Sequence, residues 1–146
     1  VATLKINSEL ERIGDLALNV AELGQQICEH PELGGRPVDL RMMGRLARRM
    51  VKESLDALVT IDPDLAQGVR EQDDAVDAML REGFREAERA LREDPELVQP
   101  MLLALGVCRH LERIADHAVN IAEDVVYMAQ GHIARHPQRD AADRRG

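Results

Sequence analysis

Acidic side chains recur along this chain at the spacing of a helical turn, in a motif that occurs twice. The segment from Leu10 to Glu22 returns as Leu111 to Glu123, with nine of thirteen residues identical. Each copy keeps Glu, Asp, Asn and Glu in the same places, which lie on one face of a helix with 3.6 residues per turn. These residues are Glu11, Asp15, Asn19 and Glu22 in the first copy and Glu112, Asp116, Asn120 and Glu123 in the second. Because carboxylates stacked this way repel one another, the pattern predicts a bound cation.

A further acidic pair, Asp73 and Asp77, lies between the two copies, again four residues apart. Apolar residues beside this pair place it at the margin of a core. If the helices run antiparallel, the pair faces Glu112 and Asp116, and facing helices of a bundle can together hold a metal. The spacing alone also fits a solvated acidic face neutralised by nearby arginines, so both interpretations stay open at this point.

Four long amphipathic stretches must position these residues, and they predict an all-α fold. The expected helices end near residue 29, cover 38–61, cover 63–93 after an Asp62 cap, and run from 94–100 to about 131. The breaks between them contain proline and glycine, which end helices or begin new ones. Asp62 followed by Pro63 is the strongest start signal, because aspartate caps a helix and proline suits its first position.

Composition argues against several classes of function. A net charge of −8, with only one Phe and one Tyr, disfavours nucleic-acid binding, which needs basic or stacking surfaces. The longest apolar run, 101–108, is far shorter than the roughly 20 residues of a membrane span. Two lone cysteines and the absence of a visible secretory signal predict a reduced, cytoplasmic protein.

These motifs resemble the PhoU family of phosphate-transport accessory proteins. The resemblance rests on Glu-Arg-Ile-Gly-Asp from residue 11, Glu-Arg-Ile-Ala-Asp from residue 112, the Asp73 and Asp77 pair, and Asn-Ile-Ala-Glu-Asp-Val-Val-Tyr-Met from residue 120. Members of this family are tandem three-helix bundles whose Glu/Asp-x-x-x-Asp motifs bind multinuclear metal clusters. The resemblance implies an iron or zinc cluster, with ligands Asp73, Asp77, Glu112, Asp116, Glu11 and Asp15. Candidate further ligands are Asn19, Glu22, Asn120 and Glu123.

The same resemblance implies a division of the chain. Residues 1–30 would be the last helix of the N-terminal repeat, 31–37 a linker, 38–131 the C-terminal three-helix repeat, and 132–146 a flexible tail. A full family member would carry two further helices before Val1, so Glu11 and Asp15 lack their usual partners here.

The function implied by the resemblance is regulatory and not enzymatic. PhoU-like proteins link the phosphate ABC transporter ATPase to a sensor histidine kinase, and they suppress the phosphate-starvation response when phosphate is plentiful. The expected role is thus a cytoplasmic, metal-binding docking scaffold in phosphate ion homeostasis, with a homodimer or other homo-oligomer as its assembly. No nucleic-acid partner is expected.

Two other classes of protein fit the sequence less well. A di-iron carboxylate enzyme would need a Glu with a His three residues later on two helices, and no acidic residue here has one. A histidine-kinase dimerisation module would use His110 or His117, but the first copy of the motif has Glu9 and Leu16 in those places. Both histidines are therefore expected to be partly exposed helix residues without a transfer role.

Overall fold

The chain folds into four long helices joined by short connections. The computed structural model describes residues 2–135, with side chains from residue 4 to residue 131. The helices are α1 (Ala2–Ile27), α2 (Leu40–Thr60), α3 (Pro63–Glu93) and α4 (Val98–Arg135), with 3₁₀ turns at Pro31–Leu33 and Pro95–Leu97. No strand occurs in this range, so the predicted all-α fold is confirmed. None of these helices has the combination of length and apolarity that crossing a bilayer requires.

The ends of α2 and α3 follow the capping signals in the sequence. The Asp62 carboxylate accepts hydrogen bonds from the backbone N–H groups of Asp64 and Leu65, at 2.9 and 3.0 Å, and Pro63 opens α3 as predicted. Ile61, in the left-handed region with a φ of 51°, ends α2. This tight turn makes α2 and α3 antiparallel neighbours.

The last helix runs further than the sequence predicted. α4 continues to Arg135, beyond the expected end near residue 131, while residues 136–146 of the predicted flexible tail lie outside the described residues. Its start at Val98 places Pro100 in the first turn. Backbone N–H groups there have no acceptor within the helix, so a proline, which lacks this group, is tolerated.

A shared apolar core holds α2, α3 and α4 together as a three-helix bundle. Met43 and Met50 of α2, Val69 and Val76 of α3, and Val125 of α4 are all fully buried in it. α4 also packs against α1 on its other side and so touches all three of the other long helices. This central position explains why the apolar residues of α4 are distributed around the helix and not confined to one stripe.

The interface between α1 and α4 is antiparallel, polar at one end and apolar at the other. Near the polar end, the Lys5 ammonium lies 2.9 Å from Asp124 Oδ1. Near the apolar end, a Cβ added to Gly106 would lie 3.0 Å from Leu23 Cδ1. Lys5 and Gly106 are separated by the same offset as the two motif copies, and so are Leu23 and Asp124. The repeated helices therefore pack about a local pseudo-two-fold axis, with different chemistry at its two ends.

The expectation that His117 is partly exposed is wrong. His117 is buried in the α1–α4 interface, where its Nδ1 atom lies 2.5 Å from Glu9 Oε2. The Asn120 amide donates a second hydrogen bond to the same carboxylate oxygen at 3.2 Å. A buried carboxylate needs such partners because losing its hydration is costly. These three residues are called the Glu9 cluster below.

Candidate metal centre

Helices α3 and α4 bring three aspartates from different parts of the sequence together. Asp73 and Asp77 lie one turn apart on α3, and Asp116 faces them from α4. One carboxylate oxygen from each lies within 4.8 Å of the others. Among the described residues, this is the group of acidic, histidine or cysteine side chains whose spacing could hold a metal ion. The predicted juxtaposition of the two motifs is thus present in the structure.

Glu112 joins this group one turn before Asp116. Burial, followed by hydrogen bonding to Asp116 and the charges of the neighbouring carboxylates, raises the pKa of Glu112 from 4.5 to about 7. Such a bond requires a proton on one of the two carboxyl groups, because two ionised carboxylates can only accept. Asp73, Asp77, Glu112 and Asp116 are called the acidic cluster below.

The cluster concentrates negative charge where solvent screens it poorly. Burial and the charges of Asp77 and Asp116 raise the pKa of Asp73 from 3.8 to about 6. Burial and the charge of Asp116 also raise the pKa of Asp77, although the nearby Arg81 guanidinium acts in the opposite direction. Proton uptake is one way to relieve this repulsion, and a bound cation is another.

One oxygen of the cluster has no protein partner. Asp73 Oδ1 is buried and accepts no hydrogen bond within the described part of the chain. An unpaired buried carboxylate oxygen is costly, so it marks a place where an ion or a water fits. The donor set contains only carboxylate oxygens, which suit magnesium and manganese and which zinc and iron also accept. The residues present therefore fit the metal that the sequence predicts.

The other candidate ligands of the second motif point elsewhere. Asn120 is committed to Glu9 in the α1–α4 interface. Glu123 is exposed, and its carboxylate lies 3.9 Å from the Arg70 guanidinium. Both residues lie on the predicted acidic face of α4, but neither belongs to the acidic cluster. Glu123 does line a pocket together with Asp73 of α3.

The first copy of the motif has a different environment. Its four polar residues are all exposed along α1, and they are Glu11, Asp15, Asn19 and Glu22. Within the described residues, no third acidic side chain comes close enough to complete a metal site with Glu11 and Asp15. The same four polar residues thus lie in unlike surroundings, because α4 is packed between other helices and α1 packs chiefly against α4.

The Glu9 cluster is the feature that sequence reasoning missed. Glu9 precedes the repeated segment, and its partner His117 lies 108 residues further along the chain, so no local spacing joins them. The sequence gives one indication of this cluster, which is a difference between the two copies of the motif: the first copy has Leu16 where the second has His117. A histidine that replaces an apolar residue in a repeat indicates a buried polar partner at that end of the interface.

Comparison with known proteins agrees with this architecture. The PhoU domain family model matches residues 40–125, which is more than half of the chain. A phosphate-specific transport system accessory protein PhoU homolog of Pseudomonas aeruginosa is 41% identical over 128 residues, covering 88% of this chain and 53% of the relative. The corresponding protein of Rhizobium meliloti is 34% identical, covering 90% of this chain and 55% of the relative.

A solved structure shows the same similarity in three dimensions. The crystal structure of PhoU from Pseudomonas aeruginosa superposes with a TM-score of 0.79 at 37% identity, covering 90% of this chain and 66% of that one. The chain spans about half the length of the curated relatives that it matches. The family-model match, the relatives and the solved structure agree, and the chain belongs to the PhoU domain family.

Proposed function

We propose that this chain is the metal-binding, partner-docking part of a PhoU-type regulator of phosphate transport. In this proposal it acts in the cytoplasm as a homo-oligomer, docks on the phosphate ABC transporter ATPase and a sensor histidine kinase, and suppresses the phosphate-starvation response. The relatives carry the name of transport accessory proteins, which supports regulation over catalysis. The observation that carries the proposal is the acidic cluster with its orphaned Asp73 oxygen, located between α3 and α4.

The proposed metal would be held by the carboxylates of Asp73, Asp77 and Asp116, with Glu112 beside them. A bound cation supplies positive charge that offsets the repulsion now expressed as raised carboxyl pKa values. It also links α3 to α4 at this point, because the ligands come from both helices. We propose a cluster of more than one ion, of iron or zinc, as the family resemblance implies.

The domain assignment is proposed on the same basis. α2, α3 and α4 correspond to one three-helix repeat, and α1 corresponds to the last helix of a second repeat. The equivalent positions that meet across the α1–α4 interface support this assignment, because a duplicated unit packs naturally about a two-fold axis. On this assignment Glu11 and Asp15 belong to the other repeat and not to the site between α3 and α4.

Binding to purified partners tests the function. The chain would be immobilised and titrated with the transporter ATPase and with the cytoplasmic part of the sensor kinase, in metal-loaded and chelator-treated forms. The test variant is Asp77→Asn with Asp116→Asn, and the matched control is Glu11→Gln with Asp15→Asn, which removes two charges from an exposed acidic pair. We expect at least one partner to bind the metal-loaded parent and control at least tenfold more tightly than the test variant. If neither partner binds any form, the proposed role is wrong.

A further inference from the structure

An apolar groove lies on the opposite side of α4 from the acidic cluster. It has a volume of about 520 Å³ and lies between α1, α2 and α4. Its apolar lining comes from all three helices and comprises Ile13, Ala17, Val20, Ala47, Val51, Leu55, Leu111 and Ile114. None of these residues belongs to the acidic cluster, so the groove is a separate feature.

Basic residues follow one rim of this groove. Arg48 and Lys52 of α2 line it directly, and no acidic residue does. The α2 helix carries five basic residues and two acidic ones, in a chain whose net charge is −8. Lys52 is paired with Asp56, but Arg41, Arg45 and Arg48 have no ion-pair partner within 4.0 Å in the part of the chain that the structure describes. A basic stretch of this acidic protein therefore borders the apolar groove.

The shape and charge of the groove define the occupant that it fits. Its α2 wall extends from Gly44 to Leu55, about 16 Å along the axis, which matches about three turns of helix. A helix in a groove is recognised through apolar residues at i, i+3 or i+4, and i+7. Acidic residues beside those anchors would lie against Arg48 and Lys52 and complement their charge. An anionic membrane is a poorer fit, because the surface is concave and the net charge is negative.

We propose that this groove binds an acidic amphipathic helix of a partner protein. The inference rests on the proposed docking function and adds the chemistry of the docked element. Apolar residues of the partner helix fill the space between Ala17 and Val51, and its acidic residues pair with the α2 cations. The metal centre and the groove would then be two distinct surfaces, on the α3 side and the α2 side of α4.

The test uses designed peptides and the 146-residue chain. A fluorescent helix-forming peptide of about 15 residues would carry Leu at i, i+3 and i+7 and Glu beside them. Two matched peptides replace Glu with Lys or Leu with Ser. We expect the acidic peptide to bind, both matched peptides to bind at least tenfold more weakly, and the affinity to fall as salt is raised, as measured by fluorescence anisotropy.

Protein variants locate the binding. Arg48→Glu with Lys52→Glu should weaken the acidic peptide at least tenfold, while Arg85→Glu with Arg92→Glu, the same charge change on exposed α3 positions, should leave it within twofold. Ala17→Gln, also at an exposed position, should block the groove without a charge change. Circular dichroism would confirm that each variant is folded. Equal binding by parent and groove variants would overturn the proposal.

Other occupants of the groove give different results. Sedimentation that shows a dimer abolished by Ala17→Gln would assign the groove to a second copy of the chain and overturn the proposal. Loss of peptide binding when the chain is extended at its N terminus to the length of its relatives would assign it to an internal helix, with the same consequence. If the transporter ATPase or the kinase binds but the acidic peptide does not, only the groove proposal fails. If the peptide binds but neither partner does, the proposed function fails instead.

Discussion

Replacing His117 with leucine tests the Glu9 cluster, because among the described residues this change leaves the buried Glu9 carboxylate with Asn120 as its one hydrogen-bond partner. The side chains of Glu9 and His117 are 9% and 11% exposed, so water cannot readily replace the lost contact. Leaving a buried hydrogen-bonding group without its partner costs about 1–3 kcal/mol, and more when the group is a charged carboxylate. We expect His117→Leu to lower the free energy of unfolding by about 3 kcal/mol, because the carboxylate stays buried and keeps the Asn120 hydrogen bond alone.

A double-mutant cycle separates this pairing from simple loss of packing. At the pseudo-symmetric end of the interface, buried Leu16 takes the place equivalent to His117, and His110 takes the place equivalent to Glu9. We expect Glu9→Leu with His117→Leu to be within about 1 kcal/mol of the parent, because replacing both partners of a buried polar contact with apolar groups can be nearly neutral. The control Glu22→Leu, at an exposed site on α1, should change stability by less than about 0.5 kcal/mol.

Urea denaturation followed by circular dichroism supplies the free energies. With a denaturant slope of about 1.5 kcal/mol per molar, the His117→Leu midpoint should fall by about 2 M.

The hydrogen bonds from His117 and Asn120 outweigh burial and lower the pKa of Glu9. A carboxyl group whose pKa is lower in the folded than in the unfolded protein stabilises the fold at pH values above its unfolded pKa, and this stability is lost as the pH falls through its folded pKa. Glu9→Gln should therefore reduce the loss of stability at acidic pH. The pairing would be refuted if Glu9→Leu and His117→Leu each cost less than about 1 kcal/mol of stability and their effects added in the double variant.

Three further outcomes follow from the acidic cluster and the helix ends. The pKa of Asp73 is raised from 3.8 to about 6, and that of Glu112 from 4.5 to about 7. The metal-free protein should therefore lose stability as the pH rises between about 4 and 7. Asp73→Asn should reduce this pH dependence, as measured by thermal denaturation. A divalent cation that binds the acidic cluster should raise the melting temperature of the parent at pH 7, and not that of Asp77→Asn with Asp116→Asn. Equal rises in both proteins would argue that the cation binds elsewhere. Asp62→Ala should lower the free energy of unfolding in urea by about 1 kcal/mol, because two backbone N–H groups at the start of α3 lose their acceptor. Asp62→Asn should lower it by less. Equal losses for the two variants would show that the cap is unimportant.

Helix boundaries were predictable because their causes are local. Asp62 and Pro63 mark the start of α3 through one side-chain acceptor and one fixed dihedral angle, and the structure begins the helix at Pro63. The juxtaposition of Asp77 and Asp116 was also predictable, because acidic pairs at one-turn spacing on antiparallel neighbours can face each other. The end of α4 was not, since no strong terminator follows residue 131 and the helix continues to Arg135.

Features that depend on the packing of distant helices were beyond the sequence. The two motif copies are nearly identical, yet Asp116 meets α3 and Asp15 is exposed on α1. Their difference comes from which helices surround each copy, and helical periodicity carries no such information. The burial of His117 likewise depends on the register of α1 against α4, which is fixed by contacts such as Lys5 with Asp124.

Metal content measured by mass spectrometry most directly tests whether the acidic cluster is a metal centre. The parent, Asp77→Asn with Asp116→Asn, and Glu11→Gln with Asp15→Asn would be purified without a metal-binding tag, reconstituted with iron, zinc or manganese, and freed of excess ion. Stoichiometric metal in the parent and in the Glu11 and Asp15 control, with its loss from the Asp77 and Asp116 variant, is the expected result. Metal-free parent after every reconstitution, or equal metal in all three proteins, would contradict the assignment.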